Sequence, residues 1–363
     1  MQTVIFTKPR YEILDGLRGV AAVIVLIYHI CESHHANYFH GYLAVDFFFA
    51  LSGFVIGYAY DDRWAKGMTL GIFFKRRLIR LQPMVVIGSV VGAIMFFFQD
   101  YPMFYKIHDT PIWLMLLVMV IGMTLIPVPT GKMDIRGWGE MHPLNGSAWS
   151  LFFEYIANIL YGTFIRKFSK TALSILVGIA AVALVHLAVT KGSVDGGWTL
   201  DWEQLRIGFT RLMYPFFAGL LLYRVCKTGK IKNAFLWCSL LIIIGLCIPK
   251  IGGKDLLWTN GLYDSLTIIL LFPFIVWMGA SGEVKGKYSS KICKFLGDIS
   301  YPLYITHWPV VLAYMGWVGT NKLTFSQTWH FALLTFFGSI LLAWVSLKFY
   351  DLPVRKWLTK VWK

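Results

Sequence analysis

Eleven apolar stretches follow one another along the chain, at about 13–31, 42–60, 83–98, 111–129, 147–166, 171–190, 207–226, 234–249, 262–281, 298–317 and 329–350. A helix needs about 20 residues to cross the hydrocarbon core of a bilayer. Only helices and closed barrels satisfy their own backbone groups there. The chain therefore reads as all-α, a polytopic membrane helix bundle. Of its 363 residues 57% are apolar and 15% charged, against about 25% charged in soluble proteins. That excludes an ordinary cytosolic enzyme, a disordered tail and a secreted disulfide scaffold. The only polar connections of any length are 61–82, 130–146, 191–206 and 250–261, so residues 1–363 read as a single membrane domain. No internal repeat is evident, which weakens a transporter built from inverted repeats.

A net charge of +15 is in this setting a statement about orientation, and nucleic acid is not an expected partner. Lys and Arg gather on cytoplasmic loops. Clusters lie at Arg63, Lys66, Lys75, Arg76, Arg77 and Arg80; at Arg166, Lys167 and Lys170; at Arg224, Lys227, Lys230 and Lys232; at Lys285, Lys287, Lys291 and Lys294; and at Lys348, Arg355, Lys356, Lys360 and Lys363. Eleven alternating crossings would put three of these clusters outside, so one stretch does not cross. The best choice is 111–129, which ends Ile126-Pro127-Val128-Pro129. The reading is ten transmembrane helices plus one re-entrant or interfacial segment, with short cytoplasmic termini at 1–12 and 351–363. The first span carries Asp15 and Arg18 with no cleavage site, so it reads as uncleaved. Five scattered cysteines form no C-x-x-C pair, and neither a metal site nor a disulfide framework is expected.

Ionisable groups inside spans are functional hypotheses by default. Arg18 and His29 are eleven residues apart, which leaves about 20° of helical offset and puts them on one stripe about 16 Å apart. A lone buried His is more often structural, and an Arg at a helix start can snorkel; sharing a stripe brings the functional reading level with these. Asp46 enters the second span at the depth where His29 leaves the first, so a carboxylate beside the imidazole would fix its tautomer and raise its basicity. Gly53 and Gly57 read as a close-packing strip. Arg77 and Arg80, at i and i+3, suit phosphate groups, and their spacing equally fits a positive-inside anchor. Glu154 lies about 10 Å below Ser147, with Ser150 and Asn158 a turn either side and Trp149 nearby. His307 sits mid-span between Pro302 and Pro309, with Tyr304 at i−3; helix kinking and core polarity explain it about as well as catalysis does. Arg211 is a weaker acceptor-side candidate. His34, His35, His40 and His142 read as solvated loop residues.

Several of these segments, in order, resemble the signatures of the acyltransferase 3 family of membrane acyltransferases. They are Leu14-Asp-Gly-Leu-Arg18 with its Arg-x10-His29 pair, Asp46-Phe-Phe-Phe-Ala-Leu-Ser-Gly53-Phe, Arg77-Leu-Ile-Arg80 with Pro83, Trp149-Ser-Leu-Phe-Phe-Glu154, and Ile299-Ser-Tyr-Pro-Leu-Tyr-Ile-Thr-His307-Trp-Pro. The departures are Phe152-Phe153 and Gln82, where the family commonly has smaller or polar residues and an apolar residue respectively. The resemblance is to the stand-alone branch of the family, for which no hydrolase-like domain is expected after the last span. The resemblance implies transfer of an acyl group, usually acetyl, from acyl-CoA to a hydroxyl of a carbohydrate, a lipid-linked sugar or a small metabolite, in a bacterial cytoplasmic membrane. On that basis Arg77 and Arg80 hold the CoA phosphates at the cytoplasmic face and Arg18 positions the donor. His29, oriented by Asp46, deprotonates the acceptor. Glu154, His307, Tyr304, Ser150, Trp149 and Arg211 line the acceptor side. A covalent acyl-histidine relay and direct transfer both remain open. The rival class is a proton-coupled transporter or flippase of a glycan precursor using the same intramembrane His, Asp and Glu; a third reading is a structural scaffold.

Overall fold

The computed structural model describes residues 8, 10–36, 38–284 and 286–362. The sequence reading for the N-terminal tail falls mostly on residues outside that set. The helices are α1 (Glu12–Glu32), α2 (Ala44–Trp64), α3 (Leu70–Met95), α4 (Ile112–Thr124), α5 (Ala148–Thr163), α6 (Lys170–Lys191), α7 (Trp202–Val225), α8 (Ala234–Cys247), α9 (Leu257–Leu266), α10 (Phe272–Ala280), α11 (Lys287–Thr320), α12 (Phe325–Val345) and α13 (Leu352–Val361). No strand longer than an isolated bridge occurs among the described residues. Every apolar stretch of the sequence forms helix. Among the described residues seven helices are both long and apolar enough to cross a membrane, counting 257–280 and 325–361 as continuous rods. The sequence count of ten adds the shorter or more polar α5, α8 and α11. At 13 residues α4 is about 20 Å long, short of a bilayer core of about 30 Å.

Local chemistry sets several helix ends. Thr69, Ser169 and Asp201 cap α3, α6 and α7 by accepting from the backbone N–H three residues on, and Thr324 with Gln327 forms a capping box on α12. The two π turns, 267–271 and 346–351, each run into a helix with proline in its first turn; proline has no N–H to continue the α register. The basic element of residues 75–80 lies on α3 itself, which begins at Leu70 rather than near Pro83, so Arg77 and Arg80 are carried on the wall of the bundle.

Two parallel helix pairs frame the centre. In the first, α1 and α11 touch where a Cβ on Gly19 would lie 2.4 Å from the Leu296 carbonyl oxygen. Arg18 reaches Ser300 near one end of this pair, and His34 reaches Tyr314 at the other. In the second, α2 and α7 approach at two glycines: a Cβ on Gly53 would stand 1.8 Å from the Phe216 oxygen, and one on Gly219 2.0 Å from the Ala50 oxygen. Buried Phe47, Phe216 and Phe217 fill the space around that crossing. Ion pairs close this seam at both ends, Asp46–Arg211 at 2.7 Å and Asp61–Arg224 at 2.7 Å.

The 125–147 connection folds inward instead of standing in solvent. Arg136 is wholly buried, donating through Nε and Nη2 to the Pro143 carbonyl. Asn145 Nδ2 donates to the Ile305 carbonyl at 2.7 Å, the oxygen that Pro309 cannot bond. His40 and His142, read as solvated, are 1% and 3% exposed. His40 meets Asp264 at 2.7 Å, and His142 Nε2 donates to the Leu125 carbonyl. Burial of the imidazole pushes the pKa of His142 down to about 4.

Candidate active site

A cavity of about 780 Å³ opens at the end of the bundle where α1, α3 and α11 begin and α2 finishes. Lys8, Arg10, Arg63 and Lys294 line it together with Arg18, Arg77 and Arg80. Most of these cations are engaged. Arg18 Nη2 meets Asp15 at 2.5 Å and its Nε donates to Ser300 Oγ at 3.1 Å. Arg77 Nη2 meets Glu154 at 2.9 Å, and the same carboxylate oxygen accepts from Ser52 Oγ at 2.7 Å. Arg77 Nε is buried without a partner. Arg80 lines the cavity with no hydrogen bond or ion pair among the described residues. A guanidinium left free in a cavity is a ready anion site. Gln82, the polar departure on this helix, ties α3 to its neighbours by donating to the Met123 carbonyl and accepting from the Tyr155 hydroxyl.

Deeper in, the cavity walls lose their charge and end at Val45, Phe48, Ser150 and Tyr304. Ser150 Oγ and the Tyr304 hydroxyl are 2.7 Å apart, and the Phe48 ring packs edge-on to Tyr304. Behind Tyr304 lies His307, ring to ring at 6.1 Å, and beyond it His29, stacked on His307 at 5.5 Å and packed 4.3 Å from Trp308. The Nδ1–H of His307 donates to the carbonyls of Leu303 and Tyr304, which leaves Nε2 bare, buried and unpartnered. His29 Nδ1 lies 2.8 Å from Glu32 Oε2. The side chains of His29 and Glu32 are 22% and 32% exposed, beyond the closed end of the cavity.

The structure thus brings Arg18, Arg77, Arg80, Glu154, Ser150 and Tyr304 onto one cavity, with His307 and His29 in line behind it. It does not place Asp46 beside His29. Arg211 holds Asp46 through Nε and Nη2 at 3.2 and 2.7 Å, and donates further to the carbonyls of Gly196 and Tyr42. Both side chains are at most 1% exposed, and the Trp149 ring lies 5.1 Å from the guanidinium. The glycine contact between α2 and α7 turns the Asp46 face toward α7, whereas the His29 face of α1 is turned toward α11. Arg211 accordingly belongs to the α2–α7 seam, with Trp149 of α5 packed over its guanidinium. Sequence reasoning missed Glu32, although i, i+3 spacing from His29 on one helix was a usable signal. It also missed Ser52 and Ser300, whose partners lie 102 and 282 residues away. No group of three or more His, Cys, Asp or Glu side chains suited to a metal ion occurs among the described residues.

A family model described as an acyltransferase domain matches residues 11–348. The chain belongs to the acyltransferase 3 family. Among proteins similar to this acyltransferase, Protein 2 in the picA locus of Rhizobium radiobacter is 30% identical over 187 residues, 49% of this chain and 95% of that protein. The peptidoglycan O-acetyltransferase OatA of Listeria monocytogenes is 24% identical over 387 residues, 98% of this chain and 57% of that protein. The O-acetyltransferase OatA of Staphylococcus aureus is 24% identical, with 96% of this chain and 58% of that protein covered. The acyltransferase chain therefore spans little more than half the length of these two OatA proteins. No solved structure matches it. The acyltransferase match ends three residues short of Asp351, so α13 lies outside it.

Proposed function

We propose that this acyltransferase moves an acetyl group from cytoplasmic acetyl-CoA to a hydroxyl of a carbohydrate or glycoconjugate held at the opposite face of a bacterial cytoplasmic membrane. The observation that carries the reading is the cavity: seven cations against four carboxylates, Glu12, Asp15, Glu154 and Asp298, line it, and its inner end at Val45, Phe48, Ser150 and Tyr304 is uncharged. That gradient suits a donor with a polyanionic nucleotide and a long uncharged arm. The excess of Lys and Arg at this end supports its assignment to the cytoplasm, with both termini there. Arg80, with Arg18 and Arg77 beside it, holds the phosphates. The Ser150–Tyr304 contact parts to admit the thioester toward His307 and His29.

His29, its Nδ1–H held by Glu32, has a bare Nε2 to accept the acceptor's hydroxyl proton. The acceptor oxygen bonds to the thioester carbonyl carbon, the C–S bond breaks, CoA leaves as thiolate, and the proton taken up on His29 Nε2 passes to the thiolate sulfur, which restores neutral His29. The His307 and Trp308 rings fix the plane of His29. The printed names of the OatA relatives support acetyl as the group transferred. Purified protein in lipid nanodiscs, given acetyl-CoA labelled in the acetyl group and a polysaccharide acceptor, should release CoA and label the glycan. His29→Ala should do neither while still binding CoA. Substrate movement across proteoliposomes with the thioester intact would replace this reading with transport.

A further inference from the structure

The last helix offers a residue pair that the donor cavity does not contain and the family match does not reach. The π turn 346–351 and α13 pack back against α3. No residue of α13 is buried, yet Asp351 at its start is 0% exposed, and Arg355 one turn on meets it at 2.5 Å with its side chain 15% exposed. Neither carboxylate oxygen of Asp351 makes an aligned hydrogen bond, and Arg355 Nε has no partner. Because the 346–351 turn and α13 pack on α3, the pair lies within electrostatic reach of Arg80, on which the charges of Arg355 and Arg18 on one hand and Asp351 and Asp15 on the other act. Three guanidinium groups thus share two carboxylates. Asp15 is taken by Arg18 and Asp351 by Arg355, and Arg80 is left over.

We infer that Arg355 is a positioning residue for the donor site: by occupying Asp351 it stops that carboxylate from neutralising Arg80, and so keeps the Arg80 guanidinium available to the phosphates of CoA. The inference rests on the donor-site reading above. A buried carboxylate with unused acceptor capacity pairs with whatever cation is nearest, because an unpaired buried charge is costly. Without Arg355 the remaining cation acting on Asp351 is Arg80, already at the cavity wall.

The test is CoA binding to the full-length protein in nanodiscs, followed by KM and kcat for acetyl-CoA. Arg355→Gln should weaken CoA binding about tenfold and raise KM with kcat little changed, although Arg355 does not line the cavity. Arg355→Gln combined with Asp351→Asn should return affinity to near wild type, because the competing carboxylate is gone. Arg355→Lys, which keeps the cation, should bind within a few-fold of wild type. Wild-type affinity in Arg355→Gln, or a double variant as weak as the single one, overturns the inference. Arg80→Gln separates the two levels. If it leaves CoA binding unchanged, the donor-site reading itself fails; if it weakens binding while Arg355→Gln does not, only the role of Arg355 falls.

Discussion

His29 Nδ1 stands 2.8 Å from Glu32 Oε2, one turn further along the same helix, so the carboxylate that fixes this imidazole comes from its own strip of sequence. Neutralising it by Glu32→Gln removes the charge while keeping a hydrogen-bond acceptor. We expect kcat to fall about 10- to 100-fold with the KM for acetyl-CoA unchanged, and Glu32→Asp to recover part of the loss. A Glu32→Gln enzyme with wild-type kcat would remove Glu32 from the mechanism.

We expect the Asp46–Arg211 pair to act on stability. Removing one partner strands the other charge in a site at most 1% exposed, at a cost of about 3–5 kcal/mol. Asp46→Asn and Arg211→Met should each lower the melting temperature in detergent markedly. Asp46→Leu with Arg211→Met should recover much of that loss, since two apolar side chains leave no unpaired charge. Single variants that melt like wild type yet abolish turnover would instead place the pair in the chemistry.

Gly53→Ala should be destabilising by about 1–3 kcal/mol or more, because its Cβ would meet the Phe216 carbonyl oxygen at 1.8 Å and a backbone atom cannot rotate away. Separating α2 from α7 would loosen both ion pairs that close the seam. Gly178→Ala on α6, where a Cβ meets nothing within 4 Å, serves as the control and should be neutral or slightly stabilising. Thermal unfolding of the two variants side by side checks this.

His142 makes the folded state sensitive to acid. Its pKa, pushed down by burial to about 4 from the ordinary 6.5, means that below pH 6.5 the unfolded chain binds a proton the folded one refuses. Stability should be flat above pH 7 and decline as pH falls from 6.5 toward 4, by about 3 kcal/mol at the lower limit from this residue. His142→Gln, which does not titrate, should flatten that part of the profile. An unaltered acid limb in this variant would assign the sensitivity elsewhere.

Much of this protein is decided locally and was legible as such. Each apolar stretch forms helix because in lipid the backbone must bond to itself. The Arg18–His29 stripe and the i, i+3 relation of His29 to Glu32 follow from helical geometry alone. The five motifs that mark the family are likewise readable in order along the chain. Which faces meet is another matter. Asp46 and Arg211 are 165 residues apart, and the depth of Asp46 in its span was compatible with His29 as a neighbour. Only the glycine-mediated approach of α2 to α7, a contact between backbones with no counterpart in hydropathy, turned it toward Arg211. His40 and His142 looked like loop residues because connections are usually solvated, but here the loops fold into the bundle and bury them. The same holds for Asp351, which comes within electrostatic reach of Arg80 only because a π turn returns the chain against α3. Sequence determined the helices, their polar stripes and the family; tertiary packing decided the partners, because side chains far apart in the chain meet only after the helix faces have been chosen.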